Sequence, residues 1–208
     1  VAISADGTCI VWNPCAGMPT FQTINFGQTW TKSNGTPTQF HPVADLDNPN
    51  LMYGFADGIF YLSTDKGLNF KSVPTSIEGG SPLIRAVPGQ SGKVLIAAQS
   101  GLYLIDCNTL EIKRFGNIAS CEAVGTGIGL NGNRCPSIYI YGTTDGTDGK
   151  FVYRSDDMGN TWIAVNNSKT QFGGPGNGRF IIGDNNIFGR CYMSTAGRGI
   201  VYCDFKTK

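Results

Sequence analysis

Charge is scarce in this sequence and evenly divided. Lys and Arg number 16 against 15 Asp and Glu, 15 % of residues together, for a formal net charge of +1. That balance excludes the basic field by which proteins hold nucleic acid. Histidine is all but absent: His41 is the only one, and it precedes Pro42, so no metal centre built on imidazoles is expected. No apolar run approaches the ~20 residues of a membrane-spanning helix, so no membrane partner is expected either. No stretch repeats apolar residues at helical spacing. The glycine-rich run Gly173-Gly174-Pro175-Gly176-Asn177-Gly178 lacks the Lys and the following helix of a phosphate loop, so no nucleotide cofactor is expected. The chain opens on Val1, with neither Met nor a signal peptide. That suggests a processed mature form, a fragment, or part of something longer.

Glycine and short β-branched runs are plentiful. Most of the 29 Gly fall beside runs rich in Val, Ile, Tyr and Phe, as many tight turns between strands require. One turn recurs. Ser155-Asp156-Asp157-Met158-Gly159-Asn160-Thr161-Trp162 reads S-x-D-x-G-x-x-W. Ser63-Thr64-Asp65-Lys66-Gly67-Leu68-Asn69-Phe70 repeats it with Phe for Trp, and Thr23-Ile24-Asn25-Phe26-Gly27-Gln28-Thr29-Trp30 with Thr and Asn at the first two key places. An eroded copy, Ile105-Asp106-Cys107-Asn108-Thr109-Leu110-Glu111-Ile112, puts Cys107 in the Asp slot. In such a turn the Asp side chain accepts backbone N–H groups just downstream, Gly supplies a positive φ, and the aromatic ring covers the turn. The key positions 25, 65, 107 and 157 are spaced by 40, 42 and 50 residues, the period of a β-propeller blade. This is the Asp-box, or BNR repeat, which joins the two outer strands of a blade. Its residues Asn25, Trp30, Asp65, Phe70, Asp157 and Trp162 are read as structural.

Four complete four-stranded blades can be written, at about 1–36, 37–75, 81–117 and 118–168. A fifth, at about 176–205, has only three strands: Arg179–Ile182, Cys191–Ser194 and Gly199–Cys203. The fold expected is all-β, an incomplete propeller. The last strand lacks a neighbour and the first blade is already complete. Additional protein, whether the rest of a longer chain or another copy, is expected to complete the propeller.

Seven Cys suit an oxidising compartment. Cys191 and Cys203 are equidistant from Gly197, the expected tip of a hairpin. Cys121 and Cys135 bracket a Gly-rich loop, and Cys9 and Cys15 bracket a short one. Those three disulfides are expected, leaving Cys107 over; the alternative is seven free thiols. Asn34-Gly35-Thr36 and Asn166-Asn167-Ser168 are glycosylation sequons. Together these point to a secreted, extracellular glycoprotein.

The order of further motifs resembles a known family. Val1-Ala2-Ile3-Ser4-Ala5-Asp6-Gly7 opens the series, and Asp47-Asn48-Pro49-Asn50 comes before Tyr53. Ala86-Val87-Pro88-Gly89 leads to Gly101-Leu102-Tyr103, and Pro136-Ser137-Ile138-Tyr139-Ile140-Tyr141-Gly142 precedes the last Asp-box. Gly183-Asp184, Phe188-Gly189-Arg190 and Gly197-Arg198-Gly199-Ile200-Val201-Tyr202 close it. Over essentially the whole chain this resembles the C-terminal part of family 74 glycoside hydrolases, the xyloglucanases. The resemblance implies two seven-bladed propellers forming a cleft, and hydrolysis of the β-1,4-glucan backbone of xyloglucan with inversion. Inversion needs two carboxylates far enough apart to hold a water. In the family both are Asp residues lying upstream of the matched region, so no catalytic residue is assigned here and this chain alone is expected to be inactive. The sequence departs from the family at Asn166–Gly174, in its added Cys residues and at Cys107. The reading is part of a secreted xyloglucan-active hydrolase. The alternative is a non-catalytic secreted propeller serving glycan binding or extracellular self-assembly.

Asp-box turns join third and fourth strands, so ligand loops belong at the opposite strand ends. Asp57, Asp145, Asp148 and Arg198 fall there, with Phe40, His41 and Phe172 on connections between blades. Aromatic faces stack on sugar rings and carboxylates accept from hydroxyls, so these residues are candidates for holding a plant-type β-glucan or another glycan. Asp57-Gly58 and Asp145-Gly146 read equally as ordinary turn pairs.

Overall fold

Consecutive strands paired antiparallel form the framework of the chain. The computed structural model describes residues 1–14, 17–78, 83–130, 135–176 and 179–204. Nineteen strands form five sheets among these residues. The first sheet holds β1 (Ala2–Ile3), β2 (Ile10–Trp12), β3 (Phe21–Thr23) and β4 (Thr31–Lys32) in that order. The second holds β5 (Val43–Ala44), β6 (Met52–Ala56), β7 (Ile59–Ser63) and β8 (Lys71–Pro74). The third is β9 (Leu83–Ala86), β10 (Lys93–Ala98), β11 (Gly101–Asp106) and β12 (Glu111–Arg114). The fourth is β13 (Ile118–Gly127), β14 (Ser137–Thr144), β15 (Phe151–Ser155) and β16 (Ile163–Ala164). The fifth has three strands, β17 (Ile181–Gly183), β18 (Arg190–Thr195) and β19 (Gly199–Asp204). This all-β make-up is that of a partial β-propeller.

The chain forms two compact units, Val1–Val94 with Ile105–Ile112, and Leu95–Leu104 with Lys113–Lys208. In the first unit a core gathers Ala2, Cys9 and Val11 from the first sheet with Ala44, Met52, Tyr61 and Phe70 from the second. Phe40, on the connection between those sheets, lies at its centre at 1 % exposure. Its ring meets Tyr61 and Phe70 edge-to-face, with centroids 5.5 and 5.0 Å away. It also covers Gly54, where any Cβ would enter the ring. Phe40 is therefore a core residue, not the loop ligand that its position suggested. Burying such a ring contributes about 2–3 kcal/mol.

In the second unit, glycines let backbones approach. A Cβ at Gly125 would strike the Ile181 carbonyl, and Gly127 and Gly183 face each other backbone to backbone. These contacts seat β17 against β13. Arg154 of β15, at 1 % exposure, is the largest buried side chain among the described residues. It lies over the Phe188 ring at 4.7 Å.

The cysteines depart from expectation. Cys9, Cys107, Cys121, Cys191 and Cys203 are free thiols in the structure, Cys135 Sγ donates to the Pro136 and Asp156 carbonyls, and Cys15 lies outside the described residues. For the expected Cys121–Cys135 bridge the register is decisive. Cys121 pairs with Gly142, and the ladder ends at Gly127↔Ser137. Cys135 therefore sits seven positions along the strand from the partner of Cys121, a distance of ~20 Å at the strand rise and beyond disulfide reach. The loop is bracketed in sequence but not in space. The expected Cys9–Cys15 bridge involves a residue outside the described ones; Cys9 itself is buried and its Sγ donates to the Lys66 carbonyl at 3.0 Å. Cys191 and Cys203 do face each other across the hairpin as direct register partners, though unlinked.

Candidate functional site

The three recurrent turns carry one hydrogen-bond network. Ser63 Oγ donates to Asp65 Oδ1 at 2.7 Å and accepts from Gly67 N at 2.9 Å. Asp65 accepts Asn69 N at 2.9 Å and Asn69 Nδ2 at 2.7 Å. Around Asp157 the same bonds come from Ser155 at 2.8 Å, Thr161 N at 2.9 Å and Thr161 Oγ1 at 2.6 Å. At Asn25 the donors are Thr23 Oγ1 at 2.9 Å and Thr29 N at 3.0 Å, while Asn25 Nδ2 donates to Thr29 Oγ1 at 2.9 Å. Asn in place of Asp thus reproduces the geometry without the charge.

Each turn holds two successive residues at positive φ: Phe26 and Gly27 at 56° and 84°, Lys66 and Gly67 at 60° and 86°, Met158 and Gly159 at 56° and 84°. The rings of Trp30 and Phe70 lie against Gly27 and Gly67, and Trp162 Nε1 donates to the Gly159 carbonyl at 3.2 Å. Burial pushes the Asp65 carboxyl upward, but the Asn69 backbone and side chain and the Ser63 hydroxyl outweigh it, and the net shift is downward. Asp157 follows the same balance, with Thr161 and Ser155 as donors.

The fourth copy has a different turn. Asp106 Oδ1 accepts Asn108 N at 2.9 Å, and the positive φ falls on Leu110 at 59°. Cys107 is half-buried beside Tyr53, and burial pushes its thiol up to about 12.

At the opposite strand ends, Asp57 and Gly58 are the two-residue loop between β6 and β7, with φ of 51° and 76° and Ala56 paired to Ile59. This is the type I′ geometry that Asp-Gly favours. Asp145 and Gly146 form the turn after β14, closed by Thr147 N donating to the Thr144 carbonyl at 3.2 Å. Asp57, Asp145, Asp148, His41 and Arg198 are exposed, and Phe172 is half-buried. Arg198 Nη1 donates to the carbonyl of Gln171, the residue before Phe172, at 3.2 Å. Asp145 and Asp148 occupy a separate turn of the same unit.

Of the two sequons, Asn166 is 6 % exposed; its Oδ1 accepts Val152 N at 2.8 Å and its Nδ2 donates to the Thr170 carbonyl at 3.2 Å. That amide closes a loop, and the sequon reading fails there. Asn34 is exposed, its Nδ2 bonded to Asn69 Oδ1 at 2.9 Å. Among the described residues, no group of three or more His, Cys, Asp or Glu gathers in a way that would hold a metal.

One repeated device escaped the sequence reading. Asp45, 1 % exposed, accepts the Tyr53 hydroxyl at 2.6 Å and the backbone N–H groups of Asp47, Asn48 and Gly92. Asp184 accepts the Tyr192 hydroxyl at 2.9 Å and the N–H groups of Asn186 and Ile187. Both pairs span eight residues and pin a first-to-second strand turn. The eight-residue Asp-to-Tyr spacing was the available signal.

Sheets of three and four antiparallel strands joined by these turns define a β-propeller segment. Its homologues are glycoside hydrolase family 74 (GH74) xyloglucanases, matched along nearly the whole chain. A xyloglucanase of a Paenibacillus species is 33 % identical over 98 % of the chain, which corresponds to 20 % of that protein. Xyloglucanase Xgh74A of Acetivibrio thermocellus is 34 % identical over 97 % of the chain, or 24 % of its own length. The crystal structure of a GH74 enzyme from Niastella koreensis superposes with a TM-score of 0.88 at 35 % identity, covering 99 % of this chain and 30 % of that one. The chain thus spans a fifth to a third of the relatives it matches. No protein-family model matches it.

Proposed function

We propose that this chain is the C-terminal part of a longer, secreted hydrolase acting on the β-1,4-glucan backbone of xyloglucan, with the catalytic carboxylates elsewhere in that protein. The observation that carries the reading is the match to GH74 xyloglucanases over 97 to 98 % of the chain, joined to the superposition on a GH74 enzyme. Under this reading the residues that contact glycan are Arg198, Phe172, Asp145 and Asp148 in one unit and, separately, Asp57 and His41 in the other. The exposure of all but the half-buried Phe172 supports that role. Asn34 is the residue open to glycosylation, since one amide hydrogen remains after its bond to Asn69.

The test compares the full-length protein with the 208-residue chain on purified xyloglucan, reading release of reducing ends. Activity in the full-length protein and none in the chain is the expected result. Binding without hydrolysis by the full-length protein would replace this reading with the non-catalytic one. Hydrolysis by the chain alone would overturn the placement of the carboxylates.

A further inference from the structure

The fourth sheet departs from the others in its first strand. Among the described residues β13 runs ten, Ile118–Gly127, where β1, β5, β9 and β17 run two to four. The added length carries the strand up to the Asp145 turn. There Asn117 O accepts Asp145 N at 3.2 Å, and Ile118 O accepts Arg114 Nη2 at 3.3 Å. Two β-bulges interrupt this part of the strand. Ile118 and Ser120 pair with Thr144 and Thr143, and Cys121 and Ala123 with Gly142 and Tyr141, so Ala119 and Glu122 are the extra residues. Gly142 accommodates them, because a Cβ there would strike Ser120 O.

A bulge gives up ladder pairing and re-aims the side chain of the extra residue. At Ala119 that side chain is a methyl group. At Glu122 it is a carboxylate, and Lys150, on the loop between β14 and β15, donates to its Oε1. The pair reaches water, with 26 % of the Glu122 and 47 % of the Lys150 side chain exposed. An ion pair so exposed contributes little to stability, and folding does not account for it. Tyr141, the register partner of Ala123, is buried next to the bulge; burial raises its phenol, and the Glu122 charge adds to that. The ion pair takes one carboxylate oxygen and one of three ammonium hydrogens. An acceptor oxygen and two N–H donors are left side by side. That combination matches two neighbouring hydroxyls of a sugar ring, one donating to Glu122 and the next accepting from Lys150.

We infer that Glu122 and Lys150 form a hydroxyl-reading subsite for a neutral glycan. The inference rests on the reading of this chain as part of a glycan-acting protein, and it adds a charged pair on the bulged strand to the loop residues named for that role.

The dissociation constant of the full-length protein for xyloglucan oligosaccharides, measured by titration calorimetry, tests this. Glu122→Gln and Lys150→Met should each weaken binding roughly tenfold, the size of one hydrogen bond to a charged group. The double variant should lose little more than either single one, since both groups hold the same pair of hydroxyls. Melting temperatures should stay unchanged, and Lys113→Met, an exposed cation elsewhere in the unit, should leave binding as it is. Unaltered affinity in Glu122→Gln and Lys150→Met overturns the inference even where the full-length protein hydrolyses xyloglucan. If Glu122→Gln disturbs the strand and lowers the melting temperature, Lys150→Met, which lies on a loop, decides. A full-length protein that binds mannan or xylan in place of xyloglucan refutes the substrate reading alone, and the same variants then decide on that glycan. Binding to none of the three overturns both.

Discussion

Arg154 lies 3.1 Å from Asp156 in a buried ion pair, the Arg at 1 % and the Asp at 22 % side-chain exposure. Asp156 also accepts Ser137 Oγ at 2.6 Å, so one carboxylate joins β14 to the turn after β15. Removing either partner strands the other charge, but the Arg154 guanidinium is buried whereas the Asp156 carboxylate still reaches water. Asp156→Ala is expected to cost about 3–5 kcal/mol, and Arg154→Met distinctly less. Urea unfolding of both variants measures this; equal losses would show that packing, not charge, sets the cost.

Gly159 and Gly146 separate conformational strain from steric clash. Both have positive φ, 84° and 76°. A Cβ at Gly159 meets the Phe115 ring, while one at Gly146 meets nothing within 4 Å. Gly146→Ala should cost ~1 kcal/mol, and Gly159→Ala that amount plus the 1–3 kcal/mol or so of overpacking. Thermal unfolding of the two variants gives the comparison, and similar midpoints would refute it.

Acid should weaken the fold through the Asp turns. The Asp65 and Asp157 carboxyls are held below their ordinary value. So are Asp6, chiefly by the Ser4 hydroxyl, and Asp184, chiefly by Asn186 N–H. A carboxyl depressed in the folded state stabilises fully above its unfolded value, near pH 4. That contribution is lost as pH falls through the lower folded value. The melting temperature should therefore hold from neutral pH down to about pH 4 and fall below it. Asp65→Asn with Asp157→Asn, which copy the neutral Asn25 turn, should flatten that fall; an unchanged slope would remove these turns as its source.

Cys191 and Cys203 are opposed on adjacent strands, and burial raises both thiols, Cys191 to about 12. Oxidised glutathione above pH 8 should link them by two exchange steps, releasing two reduced glutathiones per bridge. The bridge closes a short loop, worth ~2–3 kcal/mol. Ser194 N and Asp184 N both bond between β17 and β18, which turns the Cys191 backbone toward β19. Such hydrogen-bonded pairs lie ~5.5 Å apart at Cα, inside disulfide range. A non-reducing peptide map reads the outcome, and persistent free thiols at both positions would disprove it.

The sequence alone determined what depends on neighbours a few residues away. Ser63, Asp65 and Gly67 fall within five residues, so their bonds and positive φ follow from local chemistry, and the same holds for Asn25 and Asp157. Strand order followed as well, since short connections force adjacent strands to pair antiparallel. Only the tertiary structure decided which side of each element meets which neighbour. The β13–β14 register, a sum of many weak ladder contacts, carried Cys135 away from Cys121. A loop position told nothing of Phe40, because the hollow over Gly54 that takes its ring is formed by another strand. Asn166 bears a sequon, but Val152 N, fourteen residues earlier, claims its side chain. Phe26 and Lys66 occupy the same place in the same turn, and what each touches is set by the sheet beyond it.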